Sequence, residues 1–244
     1  GPPSSRKMVG GHECAGVIES LGPGISTDSK GRKIEVGDRV VYPFFFPCLR
    51  CYQCVHGELH ACPNRYHPRF KADTFDDYPY CDGGFAQYWS LPPGHFVFKA
   101  PDAIPDKILA TVNCSLTQVT WAIHQANMRF GDTVVVQGAG GLGIYAAAIA
   151  ADAGASKVIV IDGQPGRLDL AKRCGATDTI DMREYKTPAE RITRVHELTS
   201  GVGADIVVEV VGIAAATLEG LDMVRVGGKY IDVGNISGGS FTLP

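Results

Sequence analysis

The sequence has no apolar run of the roughly 18 residues that a membrane-spanning helix needs, and it has no block of charges of one sign. Its net charge is -3 at pH 7, so the basic surface typical of a nucleic-acid-binding protein is not expected. We find no secretory signal, internal repeat or low-complexity tract. These absences argue against a transmembrane protein and against a partner that is a nucleic acid.

The overall composition is that of an ordinary folded protein. Hydrophobic residues make up 45% and charged residues 20% of the 244 positions, which excludes a disordered chain. This length allows one large domain or two modest ones. The 8 cysteines are too few for a disulfide scaffold to be the first interpretation, whereas the 30 glycines are abundant and clustered.

The first part of the chain, residues 1–115, is rich in Pro, Cys, aromatic residues and short apolar runs. Residues 36–42, 84–89 and 96–99 each have the pattern of a strand bounded by turn residues. Residues 62–82 show no periodicity, so we expect a loop there. Several short strands separated by Gly and Pro predict a small β-barrel-like domain.

From residue 116 onward, the pattern changes to strands that alternate with helices. This alternation is typical of a doubly wound parallel sheet with helices on both faces. The predicted strands are 133–137, 157–162, 205–211 and 229–233, and the predicted helices are 142–153, 166–174 and 214–226.

A glycine-rich turn lies between the first predicted strand and helix of this second part. It fits G-x-G-x-x-G, in which the glycines allow the tight turn, the approach of a pyrophosphate and the packing of helix on strand. Phosphates would then lie at the helix N-terminus. A glycine-rich loop that merely turns the chain is the alternative. The candidate residues are Gly138, Gly140, Gly141, Leu142 and Gly143.

Two further residues extend the predicted dinucleotide site. Asp162 ends the next predicted strand, near the spacing of about 20 residues expected of the acid that binds the ribose hydroxyls. Because a carboxylate repels a 2′-phosphate, Asp162 favours NAD over NADP. Arg167 either reaches the ribose or is a solvated charge at the start of a helix.

A cysteine cluster with the pattern C-x-x-C-x-x-C-x7-C predicts a structural zinc site, because four thiolates close a tetrahedral shell. Disulfides would need an oxidising compartment, which nothing in the sequence indicates. An iron–sulfur cluster fits less well, because its last gap would be three residues rather than seven. His56 and His60 lie within the loop and are interpreted as surface residues. The predicted ligands are Cys48, Cys51, Cys54 and Cys62.

The combination of these signals resembles the zinc-dependent medium-chain alcohol dehydrogenases (the medium-chain dehydrogenase/reductase family). The resemblance is carried by G-H-E-C-A-G-V-I at residues 11–18, by the cysteine spacing, by G-G-F-A-Q-Y at 83–88 and by the glycine-rich turn with Asp162. Residues 201–205 and 227–230 resemble further family segments. The resemblance implies a GroES-like β-barrel catalytic domain at 1–115 and an incomplete NAD-binding Rossmann domain at 116–244.

The resemblance also implies a second, catalytic zinc. His12 matches a family ligand, Glu13 a near or transient ligand, and Cys114 occupies the place of another ligand at the start of the link into the nucleotide domain. Cys14, Cys81 and Cys174 match no ligand position and are interpreted as packing residues.

The implied activity is hydride transfer between an alcohol, or its ketone or aldehyde, and NAD, with the zinc ion as a Lewis acid. The alternatives are a zinc-free NADPH-dependent enone or quinone reductase of the same fold and a non-catalytic protein. The implied parent protein is a cytoplasmic homodimer or homotetramer, with a further zinc ligand and proton relay upstream and more sheet downstream. Basic residues at 65–80 either meet an anionic substrate or are solvated.

Overall fold

A computed structural model describes residues 10–64, 83–91, 93–234 and 242. Its contacts divide the chain into two compact units, Gly1–Cys114 and Ser115–Pro244. The predicted basic loop at 65–80 and Cys81 lie outside the described residues. No helix in the described ranges is long and apolar enough to cross a membrane.

The first unit contains a three-stranded antiparallel sheet with the order β1-β2-β3. Its strands are β1 (Ala15–Val17), β2 (Arg39–Val41) and β3 (Phe98–Lys99). Ile18, Ile34 and Val40 form a small buried cluster beside it. The unit also contains α1 (Tyr52–Val55), a 3-10 turn at Leu59–Ala61 and α2 (Asp106–Thr111).

The strand predicted at residues 84–89 is wrong. Gly84 and Phe85 donate backbone hydrogen bonds to Gly11 and Gly10, respectively, but this short pairing does not extend into a ladder. The segment therefore stabilises the turn at Gly10–Gly11 through two hydrogen bonds and does not form a strand.

A π-helical turn, Val112–Leu116, separates α2 from α3 (Thr117–Gln125). In the second unit, α3 is followed by β4 (Thr133–Gln137), α4 (Gly141–Asp152), β5 (Lys157–Asp162), α5 (Pro165–Arg173), β6 (Asp178–Asp181), α6 (Pro188–Leu198), β7 (Ala204–Glu209), α7 (Ala214–Met223) and β8 (Val224–Asp232).

These strands form a five-stranded parallel sheet with the order β6-β5-β4-β7-β8. Side chains alternate between its faces, so Val134 and Val136 pack with α3 and α4, whereas Val135 packs with α6 and α7. The chain leaves β4 for β5 on one side and later returns to place β7 on the other. The carboxyl ends of β4 and β7 therefore flank a topological switch point, where open α/β sheets bind ligands.

Candidate functional site

The four clustered cysteines come together in the first unit. Cys54 is on α1, Cys51 directly precedes that helix, and Cys62 follows the 3-10 turn. Their sulfur atoms all lie within 4.8 Å of one another, and Cys51 Sγ is 3.8 Å from Cys62 Sγ. A tetrahedral zinc ion with Zn–S bonds of about 2.3 Å requires sulfurs about 3.8 Å apart. The donor set and its spacing therefore fit one zinc ion.

The four cysteines differ in their burial and in the hydrogen-bond donors around their sulfur atoms. A backbone N–H of Arg50 and the Asn64 amide lower the pKa of Cys48 to about 6, whereas burial raises the pKa of Cys54 to about 12. The Cys48 N–H also donates to Cys62 Sγ at 3.3 Å. A metal ion binds thiolates rather than thiols, so the Arg50 N–H and the Asn64 amide favour the ligating form of Cys48.

The two histidines of this loop do not join the sulfur cluster. His56 is exposed, stacks on Tyr52 with ring centroids 4.0 Å apart, and lies 2.8 Å from the Tyr52 carbonyl through Nδ1. His60 is exposed on the 3-10 turn.

A second group of candidate ligands is formed by residues far apart in sequence. His12 Nε2 lies 3.2 Å from Cys114 Sγ, although 102 positions separate the two residues. Zinc ligands of these two types are about 3.5 Å apart in a tetrahedral site. The pair therefore fits as two neighbouring ligands of one metal ion.

Local structure explains how the pair is held. Cys114 lies on the π-helical turn, an irregularity frequently found at functional sites. The adjacent Asn113 is buried and donates its side-chain amide to the carbonyls of His12 (2.9 Å) and Cys14 (3.3 Å). Asn113 therefore ties the turn that carries one candidate ligand to the segment that carries the other.

Gly11 is required by the backbone at this turn. Its φ is 93°, and a Cβ there would lie 2.9 Å from the Phe85 backbone nitrogen. Any other residue would push the G-G-F segment away, which explains why glycine precedes His12.

Glu13 is exposed, and its charge acts on Cys114. Burial and the nearby Glu13 carboxylate together raise the pKa of Cys114. Over the described ranges, the four clustered cysteines are the one group of three or more candidate ligands within mutual reach, so Glu13 does not complete a third ligand position here.

The glycine-rich turn lies at the carboxyl end of β4. Gly138 has φ 101°, a conformation that favours glycine. A Cβ on Gly143 would lie 1.9 Å from the Gly138 carbonyl oxygen, so α4 can pack this close to the turn only because residue 143 is glycine. Leu142 packs partly buried against the core. By contrast, nothing lies within 4 Å of a Cβ placed on Gly140 or Gly141. These two glycines leave the N-terminus of α4 open to an anion.

Asp162 ends β5 beside this turn and is almost completely buried. Its Oδ2 accepts a hydrogen bond from the Ala139 N–H at 2.7 Å, and its Oδ1 accepts one from Gln164 N–H at 2.8 Å. Arg167 is mostly exposed, with Nη1 4.0 Å from Asp162 Oδ2. The carboxylate thus helps to shape the turn, because its two oxygens hold the backbone at Ala139 and at Gln164.

Asn113 and Glu209 are among the buried polar residues to which the sequence interpretation gave no role. Glu209 ends β7 with no exposed surface and accepts hydrogen bonds from Val211 and Gly212 N–H at 2.7 and 2.8 Å. An acidic residue within the apolar run I-V-V-E-V-V was a signal that could have identified it. Asn113 had no comparable signal.

Two family models match the chain. Residues 1–102 match the alcohol dehydrogenase GroES-like domain, and residues 141–244 match the zinc-binding dehydrogenase domain. The chain belongs to the zinc-dependent alcohol dehydrogenases of the medium-chain dehydrogenase/reductase family. This membership confirms the predicted fold class, a GroES-like domain followed by a Rossmann-like parallel sheet.

Several individual proteins are similar to this chain over most of its length. The chain is 35% identical over 230 residues to 5-exo-hydroxycamphor dehydrogenase of Pseudomonas putida, covering 93% of this chain and 61% of that protein. It is 34% identical over 239 residues to D-xylulose reductase A of Aspergillus oryzae, covering 97% and 62%. A crystal structure of an alcohol dehydrogenase from Thermotoga maritima matches with a TM-score of 0.87 and 34% identity, covering 97% and 64%. The chain thus spans about three fifths of the length of these relatives.

Proposed function

We propose that the protein containing these residues is a zinc-dependent dehydrogenase that transfers a hydride between an alcohol and NAD. The observation that carries the proposal is the distance of 3.2 Å between His12 Nε2 and Cys114 Sγ. Two candidate ligands from distant parts of the chain are thereby placed together, apart from the four-cysteine cluster. The relatives' names refer to hydroxycamphor and D-xylulose, which supports a hydroxyl or carbonyl compound as substrate.

Each group of residues has a distinct role in this proposal. His12 and Cys114 hold the catalytic zinc, and Asn113 positions these two ligands. Glu13 adds a negative charge close to the zinc site. Bound zinc would supply Lewis acidity toward the substrate oxygen, and bound nicotinamide would supply the hydride acceptor. Cys48, Cys51, Cys54 and Cys62 hold a structural zinc that stabilises their loop.

The second unit would bind and orient the dinucleotide. The open N–H groups at Gly140 and Gly141 receive the pyrophosphate, Gly138 and Gly143 allow the close packing of turn and helix, and Leu142 anchors the helix in the core. Asp162 accepts the ribose hydroxyls and disfavours a 2′-phosphate, which supports NAD rather than NADP. Arg167, next to Asp162, is placed to contact the ribose edge.

The test measures zinc per chain and alcohol-dependent reduction of NAD in the protein that contains these residues. We expect two zinc ions in the wild type and one in His12→Gln, with activity lost in the variant. His56→Gln, a change of another exposed histidine that is not in the sulfur cluster, is the control and should keep both ions and the activity. Equal zinc content in all three proteins would contradict the role of His12.

The function itself has a separate criterion. A wild-type protein with both zinc sites filled that reduces no NAD with any of a panel of secondary alcohols and polyols would contradict the proposed activity. The homodimeric or homotetrameric assembly and the cytoplasmic location expected for the parent protein stay predictions.

A further inference from the structure

Four buried side-chain oxygens of the second unit have no hydrogen-bond partner among the residues that the structure describes. Buried polar groups in native proteins are nearly always hydrogen-bonded, either to other protein groups or to ordered water, so each exception requires an explanation. We call these atoms the oxygen cluster. Its members are Gln137 Oε1, Glu209 Oε2, Thr217 Oγ1 and Tyr230 OH.

Three members of the oxygen cluster lie on one face of the parallel sheet. Gln137 and Glu209 are register neighbours at the carboxyl ends of β4 and β7. Tyr230 on β8 is the register neighbour of Val207, two residues before Glu209, and it packs with Val207. Side chains two residues apart in a strand point to the same face. This face is opposite to the one on which α4 packs.

Helix α7 covers this face and contributes the fourth oxygen. It packs on β4, β7 and β8, and it carries Thr217 one turn before Gly220. A Cβ at Gly220 would overlap both Gln137 Oε1 and the Tyr230 ring, so these two side chains meet the helix at one position. Burial raises the pKa of Tyr230 to about 12, while the Thr217 hydroxyl lowers it and the Glu209 charge raises it. The four oxygens therefore converge beneath α7.

The hydrogen-bonding capacity of the oxygen cluster indicates what it can bind. Glu209 Oε2 and Gln137 Oε1 only accept hydrogen bonds, whereas the hydroxyls of Thr217 and Tyr230 can also donate. The remaining polar atoms of the two acceptor side chains are already used. Gln137 Nε2 donates to the Ala216 carbonyl at 2.9 Å, and Glu209 Oε1 accepts two backbone N–H groups. The free capacity is thus two acceptors and two hydroxyl donors.

A water molecule matches this capacity, because it donates two hydrogen bonds and accepts two. An anion would be repelled by the Glu209 carboxylate. Buried waters typically make about three hydrogen bonds to groups that would otherwise be unsatisfied, and they are costly to remove. We propose that the oxygen cluster binds one buried water molecule, which links α7 to β4, β7 and β8. This inference goes beyond the proposed function, because it requires neither zinc nor a dinucleotide.

The first experiment is a high-resolution crystal structure of the protein that contains these residues, with a thallium salt as a probe for monovalent cations. We expect one solvent peak about 2.5–3.0 Å from at least three of the four oxygens, without an anomalous signal from thallium. A thallium peak at this position would overturn the assignment of water in favour of a cation. Direct hydrogen bonds among the four side chains, with no peak between them, would overturn the site itself.

The second experiment counts long-lived buried waters in solution by magnetic relaxation dispersion of isotope-labelled water. Thr217→Leu replaces the hydroxyl by a larger apolar side chain that fills the space of the water, so the count should fall by one per chain. Thr217→Ser keeps the hydroxyl and is the matched control, with an unchanged count expected. Equal counts in the wild type and in Thr217→Leu would contradict the proposal.

A third measurement keeps the proposal testable if Thr217→Leu fails to fold. Tyr230→Phe removes only one hydroxyl, so the water should stay bound through its remaining partners, and the melting temperature should fall by about 2–4 °C. Tyr185→Phe removes the hydroxyl of another partly buried tyrosine that packs on the same face, and it should lower the melting temperature less. Equal melting temperatures of Tyr230→Phe and the wild type would contradict a hydrogen bond from Tyr230 to the water.

Discussion

Cys62 is the most enclosed of the four clustered cysteines, with no exposed surface. Its sulfur accepts the Cys48 N–H and lies 3.8 Å from Cys51 Sγ. Cys62→Ser should therefore remove about one zinc ion per chain, because a serine hydroxyl replaces a thiolate in a closed four-sulfur shell. Elemental analysis after dialysis measures the loss. Cys174→Ser, in the second unit, is the control, and an equal zinc content in both variants would contradict a structural site.

At the same scale, Asp162 combines a structural and an electrostatic role. Asp162→Asn keeps the size of the side chain but removes its charge and leaves one amide nitrogen facing a backbone N–H. The preference for NAD over NADP should fall by about tenfold or more, since the repulsion of the 2′-phosphate disappears. Competitive binding of the two nucleotides measures this ratio. Asp181→Asn, at the end of the adjacent strand β6, should leave the ratio unchanged, and a similar fall in both variants would exclude a specific role for Asp162.

At the scale of elements, β4 and β5 lie where the sequence predicts them, at Thr133–Gln137 and Lys157–Asp162. Continuous β-branched runs of this kind are typical of strands buried on both faces, and few other structures suit them. The helix predicted at 214–226 is partly wrong, because it ends at Met223 and β8 begins at Val224. The bulge between Ala204 and Ile206 and the positive φ of Gly227 allow β8 to start early, and neither is visible as periodicity.

One helix was missed although its sequence carries a clear signal. At the start of α6, the Thr187 side chain accepts from the Glu190 N–H while the Glu190 side chain accepts from the Thr187 N–H, and Pro188 occupies the first helical position. This capping box is recognisable from the sequence. In the candidate site, by contrast, part of the structure could not be predicted from the sequence. Spacing alone predicts the four cysteines as a set. The hydrogen-bond partners of Asn113 and Glu209 depend on tertiary packing, which leaves no periodic pattern in the sequence.

The junction of β4 and α4 makes a further prediction for an element. Gly143→Ala would place a methyl group 1.9 Å from the Gly138 carbonyl oxygen, so turn and helix must separate. We expect a loss of about 1–3 kcal/mol in the free energy of unfolding, as for other overpacked sites, and weaker binding of ADP. Gly166→Ala in α5 meets nothing within 4 Å and should leave both quantities nearly unchanged. Thermal unfolding and calorimetry measure the two effects, and equal stability of the two variants would contradict the close packing.

The two units of the chain contain different sets of candidate ligand-binding residues. All four clustered cysteines, His12 and Cys114 belong to the first unit, whereas the glycine-rich turn, Asp162 and Glu209 belong to the second. Composition and spacing predict this separation of zinc and nucleotide chemistry, because each motif lies within one continuous half of the sequence. The pairing of His12 with Cys114 was implied only by the family resemblance, since no local pattern brings residues 102 positions apart into contact.

This separation predicts that two ligands stabilise different parts of the same chain. A chelator should speed amide hydrogen exchange around residues 48–62, because a closed zinc shell contributes directly to the folding of its loop. NAD at about 100 times its dissociation constant should instead slow exchange in the second unit, with a stabilisation of about 2.7 kcal/mol where exchange requires unfolding of that unit. Exchange measured by mass spectrometry on peptides from each unit checks both effects.

The controls follow from the same variants. Cys62→Ser should no longer respond to the chelator at residues 48–62 but should keep the protection by NAD, whereas Gly143→Ala should show the reverse. If the chelator sped up hydrogen exchange in the second unit as strongly as in the cysteine loop, the two ligands would act on one cooperative structure. In that case the division into two separately stabilised units would be wrong, even with the assignments of the individual ligand residues unchanged.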